Sequence, residues 1–574
     1  MTPAKRPQPR ERQEIHAILL AIFLVLFFAG LNVSYPFIGN DYLYFFDRLH
    51  AGIWHVQQQG IFPFRFTASF CGGMPQYGNP HDISYSLLQA LSLFFSFWTA
   101  TQLTLLFMLL AGYAAWYRIG RDVLRFRSAW SHVFALTVTA NGFYFMHMVV
   151  GHVAYHTLPL MGVLLWLLLK PPEESTRERC GGVSLFALTT ACILYASGYF
   201  VLMVTLCTYL LALPVLFFIL PPPKGEKAPS QVRAHFFRTL LYGESALLLC
   251  MSKLVAIYSL MRFFPRYMPF DIFYGNVPLF IARAFWGIPQ SEALFLPGAI
   301  WGVHEYSIFL SPLTLIGLFG LLPYLYWKLR GKMRSDTPLL LAFAAAYALL
   351  LLIGFVELTQ GFGAIPAVLE KLPILSSTHV TARFLYIFSL FLSALSIFCI
   401  AGFADTALTR KGSNLLAVVG SAITLFAFAA AYTPLLFSNE LTRGTAYHNM
   451  EGSFHTFDPP IMKQEGSCED PVFMGIGKYP IPPLAKGDPE QGDGIFFNLY
   501  NPACLQYPET NFCKPGARIF MSDWENFQNF RWGRAVTWQI SSLQRWSDAI
   551  SLLALAGCLV GISMYAKRKP VTRK

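Results

Sequence analysis

Gly39-Asn40-Asp41 lies just beyond a long apolar run that begins near Ile15, ahead of a polar loop closing in Cys71-Gly72-Gly73-Met74-Pro75-Gln76-Tyr77-Gly78-Asn79-Pro80. A carboxylate at the mouth of a hydrophobic bundle can take a proton from a hydroxyl or amine nucleophile, which is the work of a general base. Further along, His147, Gly151-His152 and His156 stand where one apolar run ends and the next begins. His304-Glu305-Tyr306 opens a run, Glu357 closes one, and His379 with Arg383 precedes another. Ionisable groups in or beside a bilayer are costly, so their recurrence at run ends marks a functional interface. Lys253 differs, because it lies some 15 residues, or about 22 Å of helix, into a run that starts near Thr239. A cation at that depth pairs with an acid or receives a lipid phosphate, and Glu244 is too far along the same helix to be its partner. Taken singly, these residues also have plain structural readings. Asp41 can mark a helix end, His152 can cap a turn, His304-Glu305 can anchor a helix, Arg383 can snorkel, and Asn141-Gly142 reads as a kink or packing site.

The elements that must position these residues are membrane helices. The chain is 55% hydrophobic, 16% aromatic and only 13% charged, with a mean hydropathy of +0.46. That is too much apolar surface for water. Runs long enough to span about 30 Å of hydrocarbon recur along the chain, and their number is roughly twelve. They fall near Ile15–Phe37, Thr101–Trp116, Ser128–Met148, Tyr155–Leu169, Val183–Ser197, Phe200–Leu220, Thr239–Leu260, Tyr306–Trp327, Leu339–Phe355, Phe384–Phe403, Leu415–Leu436 and Ser547–Tyr565. The apolar stretch Ile83–Trp98 follows a Pro- and Gly-rich loop and reads as a helix along the outer surface.

Charge placement orients the bundle. Segments 1–14, 118–127, 170–179, 221–238, 328–334, 405–411 and 567–574 hold 26 of the 43 Lys and Arg residues, so they are expected inside, with both termini cytoplasmic. The net charge of +12 is then mostly a topology signal, and no nucleic-acid partner is expected. The basic leader lacks a small-residue cleavage site and is expected to be retained. The outward segments are 38–100, 261–305, 356–383 and 437–545. The chain thus divides into a transmembrane module over 1–436, a small, loop-rich α+β extracytoplasmic cap over 437–545, and a last membrane helix with a basic tail over 546–574.

The cysteines show no CxxC spacing and no His partners at ligand spacing, so no zinc set is read from the sequence. Cys504 and Cys513 lie nine positions apart in the cap and are expected to form a disulfide. A single acid at Asp41 does not define a hard-cation site, and a divalent metal is left open.

The order of these features resembles the GT-C superfamily of polytopic glycosyltransferases, and within it the bacterial YfhO-type membrane proteins. The resemblance rests on Asn40-Asp41, on Gly72-Gly73-Met74-Pro75 through Asn79-Pro80, and on Asn141-Gly142-Phe143 with His147 and Gly151-His152. His304-Glu305-Tyr306 and Leu372-Pro373-Ile374 through Thr381-Ala382-Arg383-Phe384 complete it, so that it covers most of residues 15–405. Of the Arg-x-Pro-x-Arg-Phe pattern common in YfhO-type proteins, only the closing Arg383-Phe384 is present, and Asp47 is six positions from Asp41.

The resemblance implies an all-α polytopic fold and a glycosyltransferase of the cytoplasmic membrane. The implied reaction moves a sugar from a polyprenyl-phosphate-linked donor to an envelope glycan, lipid or protein acceptor on the outer face. In that scheme Asp41 is the base and Arg383 and Lys253 hold the donor phosphate. His152, His304, Glu305 and His379 bind substrate. Two other classes are open to the chain. A transporter or flippase of a lipid-linked saccharide would show an internal repeat and midplane polarity, whereas here no repeat is evident and the polar residues sit at the outer rim. A non-catalytic envelope scaffold would leave Asp41 and Arg383 replaceable.

Overall fold

The computed structural model describes residues 11–32, 40–61, 66–67, 74–171, 175–214, 228–261, 303–317, 349, 352–371, 380–437 and 541–566. Its helices are α1 (Glu11–Asn32), α2 (Asn40–Gln59), α3 (Leu87–Ser92), α4 (Phe97–Arg118), α5 (Ser128–Thr139), α6 (Gly142–Val150) and α7 (Met161–Leu169). They continue with α8 (Thr176–Tyr195), α9 (Tyr199–Pro214), α10 (Ala228–Met261), α11 (Val303–Tyr306), α12 (Ala364–Leu369), α13 (Leu385–Ala407), α14 (Arg410–Phe437) and α15 (Ser542–Ala566). Short 3₁₀ turns cover Val153–Tyr155, Leu158–Leu160 and Thr381–Phe384, and a π-helical turn, Ile119–Val123, extends α4. The strands β1 (Phe66–Thr67) and β2 (Met74–Pro75) pair antiparallel, with Phe66 opposite Pro75.

Among the described residues seven helices are long and apolar enough to cross a membrane, and two shorter apolar helices lie at Val153–Leu169 and Tyr199–Pro214. This is a multi-pass membrane protein, built from helices because a backbone in hydrocarbon must satisfy its own polar groups. Of the expected span Tyr306–Trp327 only residues 306–317 are described, and the span Leu339–Phe355 lies largely outside the described residues, as do the 437–545 cap and its cysteines. The lipid-facing surface is legible on α15, where Leu543, Trp546, Leu552, Leu553, Leu559 and Val560 are all more than half exposed. One face of α15 instead packs against α8 and α10.

Two local expectations change. The stretch Ile83–Trp98 is not one surface helix. Ser86 Oγ accepts the Gln89 N–H at 3.1 Å and opens the six-residue α3. Ser96 Oγ accepts the Thr99 N–H at 3.3 Å and opens α4, which takes Phe97 and Trp98 into a long helix. Two serine caps ten residues apart therefore cut the run in two. The expected span Tyr155–Leu169 is likewise divided. Its first part is two 3₁₀ turns, the second of which contains Pro159, and only α7 is a regular helix.

The bundle has two chemically different ends. At one, the start of α1 stacks on α5 through His16 and His132, whose ring centroids are 4.4 Å apart. There Arg127 pairs with Asp405 at 2.9 Å, and Trp130 donates to Ser413 at 3.0 Å. A cavity of about 370 Å³ at this end is lined in part by Arg121, Arg127, Arg410 and Lys411. At the other end, the close of α1 meets the start of α4, where Trp98 Nε1 and Gln102 Nε2 donate to Asn32 Oδ1 at 2.7 and 2.6 Å. That second end also carries the end of α6 and the start of α13, and so the polar residues singled out by the sequence.

Candidate functional site

The site begins with the break between α5 and α6. Asn141 leaves the helical conformation and its Oδ1 accepts the Phe143 N–H at 2.8 Å, which starts α6 afresh. Gly142 is required by close packing, because a Cβ there would lie 1.6 Å from the Tyr432 hydroxyl and 2.6 Å from Phe309 Cβ. Tyr432 in turn bonds Ser307 across 3.1 Å, holding the segment that follows α11 against α14. The Asn-Gly pair thus does act as a helix break and packing site.

Nine residues on, Gly151 ends α6 with φ at +91°, the left-handed conformation that glycine adopts without strain. The reversed chain lets His152 N–H donate to the His147 carbonyl at 2.8 Å. It also brings the His147 and His152 rings to a centroid separation of 4.9 Å. The spacing His147-x-x-x-Gly151-His152 therefore encodes a pair of neighbouring imidazoles.

Two remote segments complete the cluster. The helix α11 packs on α6 and on the Thr381–Phe384 turn, and Glu305 within it is 1% exposed. Arg383 grips it as a fork, with Nε donating to Oε2 at 2.7 Å and Nη2 donating to Oε1. Burial alone would raise the Glu305 carboxyl, but the Arg383 guanidinium beside it wins and holds it well below the ordinary value of 4.5. His147 is fully buried, and its Nδ1 lies 2.7 Å from the Phe143 carbonyl oxygen, so Nδ1 carries the proton and Nε2 faces the cluster. That Nε2 is 3.5 Å from Glu305 Oε2. His304 Nε2 is 3.7 Å from Glu305 Oε1, and its ring lies 4.8 Å from that of His152. Tyr155 closes one side, its ring 4.6 Å from His147 and 5.6 Å from the Arg383 guanidinium carbon. Among the described residues, His147, His152 and Glu305 offer donor atoms that all lie within 4.8 Å of one another.

Of the residues picked from the sequence, the structure brings together His152, His304, Glu305 and Arg383. Asp41 lies in the first turn of α2, but its side chain, like that of Asp47, is outside the described residues, and so is all of His379. The neighbour of Asp41 is informative, since Tyr42 is 1% exposed and donates to the Met148 carbonyl at 2.5 Å. The helix bearing Asp41 is thereby fastened to the residue after His147. Glu357 has a structural role, because its Oε2 accepts the Ile365 N–H at 2.7 Å. His156 is buried, and its carbonyl accepts the Tyr144 hydroxyl at 3.1 Å.

Lys253 is held by protein groups. It is fully buried, and its three ammonium protons have three acceptors, which are Asp82 Oδ2 at 2.8 Å, Tyr77 O at 2.7 Å and Asn79 O at 3.4 Å. These contacts staple the Gln76–Asp82 loop to α10. The same loop is tied to α15 through Tyr77 and Ser252, whose hydroxyls are 2.6 Å apart, and through Ser252 to Asp548 at 2.5 Å. Sequence reasoning missed Asp82 as the partner of Lys253. It named His147 among the polar residues at run ends without giving it a role, and it missed Tyr155. The available signals were a carboxylate two residues beyond Asn79-Pro80 and the position of His147 one helical turn after Phe143.

No protein-family description matches the chain, and no curated protein matches it. Among solved structures, the chain is similar to the single-particle cryo-EM structure of arabinofuranosyltransferase AftD from Mycobacteria. That match has 13% identity and a TM-score of 0.42, over 75% of this chain and 27% of that one. It is also similar to the crystal structure of ArnT from Cupriavidus metallidurans bound to undecaprenyl phosphate, at 11% identity and a TM-score of 0.41, over 82% of this chain and 86% of that one. The chain therefore spans about a quarter of the length of the first of these.

Proposed function

We propose that the protein is a membrane glycosyltransferase that moves a sugar from a polyprenyl-phosphate carrier to an acceptor hydroxyl or amine at the outer membrane face. The observation that carries this reading is the buried cluster of His147, His152, Glu305 and Arg383 at one end of the helical bundle, fastened through Tyr42 to the helix that bears Asp41. A charged cluster at that depth is expensive to assemble and is expected to repay its cost in function.

In this reading the acceptor oxygen or nitrogen attacks the anomeric carbon while Asp41 takes its proton. The bond from the anomeric carbon to the carrier phosphate breaks, and the electron pair leaves with the phosphate. That leaving group is already a stable anion, so it needs cationic contacts and no general acid. Arg383 uses Nε and Nη2 on Glu305, which leaves Nη1 as the donor it offers to phosphate. His152 and His304 are assigned to sugar or acceptor hydroxyls, together with His379. Glu305 is assigned to holding Arg383 in place, a change from direct substrate contact.

The test is sugar transfer by the purified, monodisperse protein from a polyprenyl-phosphate-linked donor. Asp41→Asn keeps the shape and removes the base, and turnover is expected to fall by about 10²–10⁴. Arg383→Lys should recover little over Arg383→Ala, because the fork to Glu305 needs the planar guanidinium. Full turnover in a well-folded Asp41→Asn protein would exclude Asp41 as the base.

A further inference from the structure

We propose that His147, His152 and Glu305 form a binding site for a first-row transition-metal ion, with Zn²⁺ the ion that best fits the donors. The site lies within the cluster described above, yet the inference stands whether or not the protein transfers sugar.

The first argument is the state of His147. Its Nδ1–H is committed to the Phe143 carbonyl at 2.7 Å, so the lone pair of the neutral ring points from Nε2 into the cluster. The side chain is fully buried, and Nε2 has no hydrogen-bond partner among the described residues. Its nearest charged neighbour is Glu305 Oε2, itself an acceptor. Two lone pairs facing each other across 3.5 Å in a buried site are suited to hold a cation between them. Metal-binding histidines usually donate their second ring N–H to a carboxylate, backbone carbonyl or water, as His147 does to Phe143.

Distance then separates a proton from a metal. A protonated Nε2 bonded to a carboxylate would sit at about 2.7–2.9 Å. Two ligands of a tetrahedral zinc, each about 2.0–2.1 Å from the ion, lie about 3.3–3.4 Å apart. The observed separation is 3.5 Å. The third donor, on His152, lies within 4.8 Å of both others. Its ring is only half buried, which leaves it room to adjust toward an ion. His304, 19% exposed and 3.7 Å from Glu305 Oε1, is within reach of a fourth position.

The donor set decides the class of ion. Two imidazoles and one carboxylate suit zinc or another first-row transition metal, whereas Mg²⁺ and Ca²⁺ take oxygen ligands. Arg383 is compatible with this arrangement, because its fork uses one lone pair on each Glu305 oxygen and leaves the others. Arg383 and Glu305 cancel in charge, so a bound divalent ion would make the cluster a receptor for an anion.

The experiment is metal analysis of the full-length protein, purified in detergent with a histidine-free tag, after incubation with Zn²⁺ and removal of excess. About one equivalent is expected in the wild type, and less than about a tenth in His147→Gln and His152→Ala. X-ray absorption at the zinc edge is expected to show imidazole and oxygen scatterers at about 2.0–2.1 Å. His152→Ala touches a half-buried ring, so it reports on the site even if His147→Gln does not fold. A wild type that binds no zinc, a His152→Ala protein that keeps a full equivalent, or sulfur scatterers at about 2.3 Å from the chain's cysteines would each overturn the proposal. None of these readouts uses sugar transfer. A zinc-bearing protein without transfer activity would count only against the enzyme reading, and an active zinc-free protein only against the metal.

Discussion

Replacing Lys253 by Met separates the two roles open to this buried cation. The ammonium holds Asp82 at 2.8 Å and two backbone carbonyls, and both charged side chains are 1% exposed or less. Removing the cation strands a carboxylate whose remaining contacts are Gln76 Nε2 at 3.0 Å, the Ser84 N–H at 3.0 Å and the Ser84 hydroxyl at 2.5 Å. Breaking one side of a buried pair costs about 3–5 kcal/mol, equivalent to roughly 10²–10³·⁵ in the unfolding equilibrium. The double variant Lys253→Met/Asp82→Asn leaves no buried charge, so it should recover more than half of that loss. Denaturation by SDS titration in mixed micelles measures both, with the four proteins of the cycle compared under one condition. The structural account requires strong coupling between the two positions and no specific effect on donor affinity in protein that remains folded. A Lys253→Met protein of wild-type stability that binds a polyprenyl-phosphate donor more weakly would refute it and restore the phosphate-binding role.

Glu305 predicts a pH dependence. Its folded-state carboxyl lies well below 4.5, so in that range the unfolded chain binds more protons than the native one and stability rises with pH. Its contribution should be complete above about pH 4.5 and decline as pH falls further toward the folded value, a slope that Glu305→Gln should reduce in stability curves taken from about pH 7 to 3. Gly142→Ala would force a Cβ to within 1.6 Å of the Tyr432 hydroxyl, and a loss of about 1–3 kcal/mol in the same SDS titration is expected. Asn141→Ala removes the acceptor that starts α6 and should cost about 0.5–2 kcal/mol, read in the same way. A single Cys introduced near Asp488 should react with an impermeant reagent in intact cells if 437–545 is outward, and labelling only after lysis would reverse the orientation argued from charge.

The sequence alone determined the class of molecule. Hydropathy integrates over about 20 residues, so errors at single positions cancel and runs such as Ile15–Phe37, Phe384–Phe403 and Ser547–Tyr565 reappear as helices α1, α13 and α15. The Asn141-Gly142 break was also legible, because its cap and its missing Cβ are local chemistry. Helix boundaries set by single serines, as at Ser86 and Ser96, were hidden inside an apolar run. Pairing could not be read at all. Lys253 meets an acid 171 positions away and Glu305 meets a guanidinium 78 positions away. No periodicity carries such information, since it is the packing of separate helices that sets which polar ends meet. That packing gave Lys253 a carboxylate partner. It also made His147, which by sequence was one polar residue among several at a helix end, the buried centre of the site.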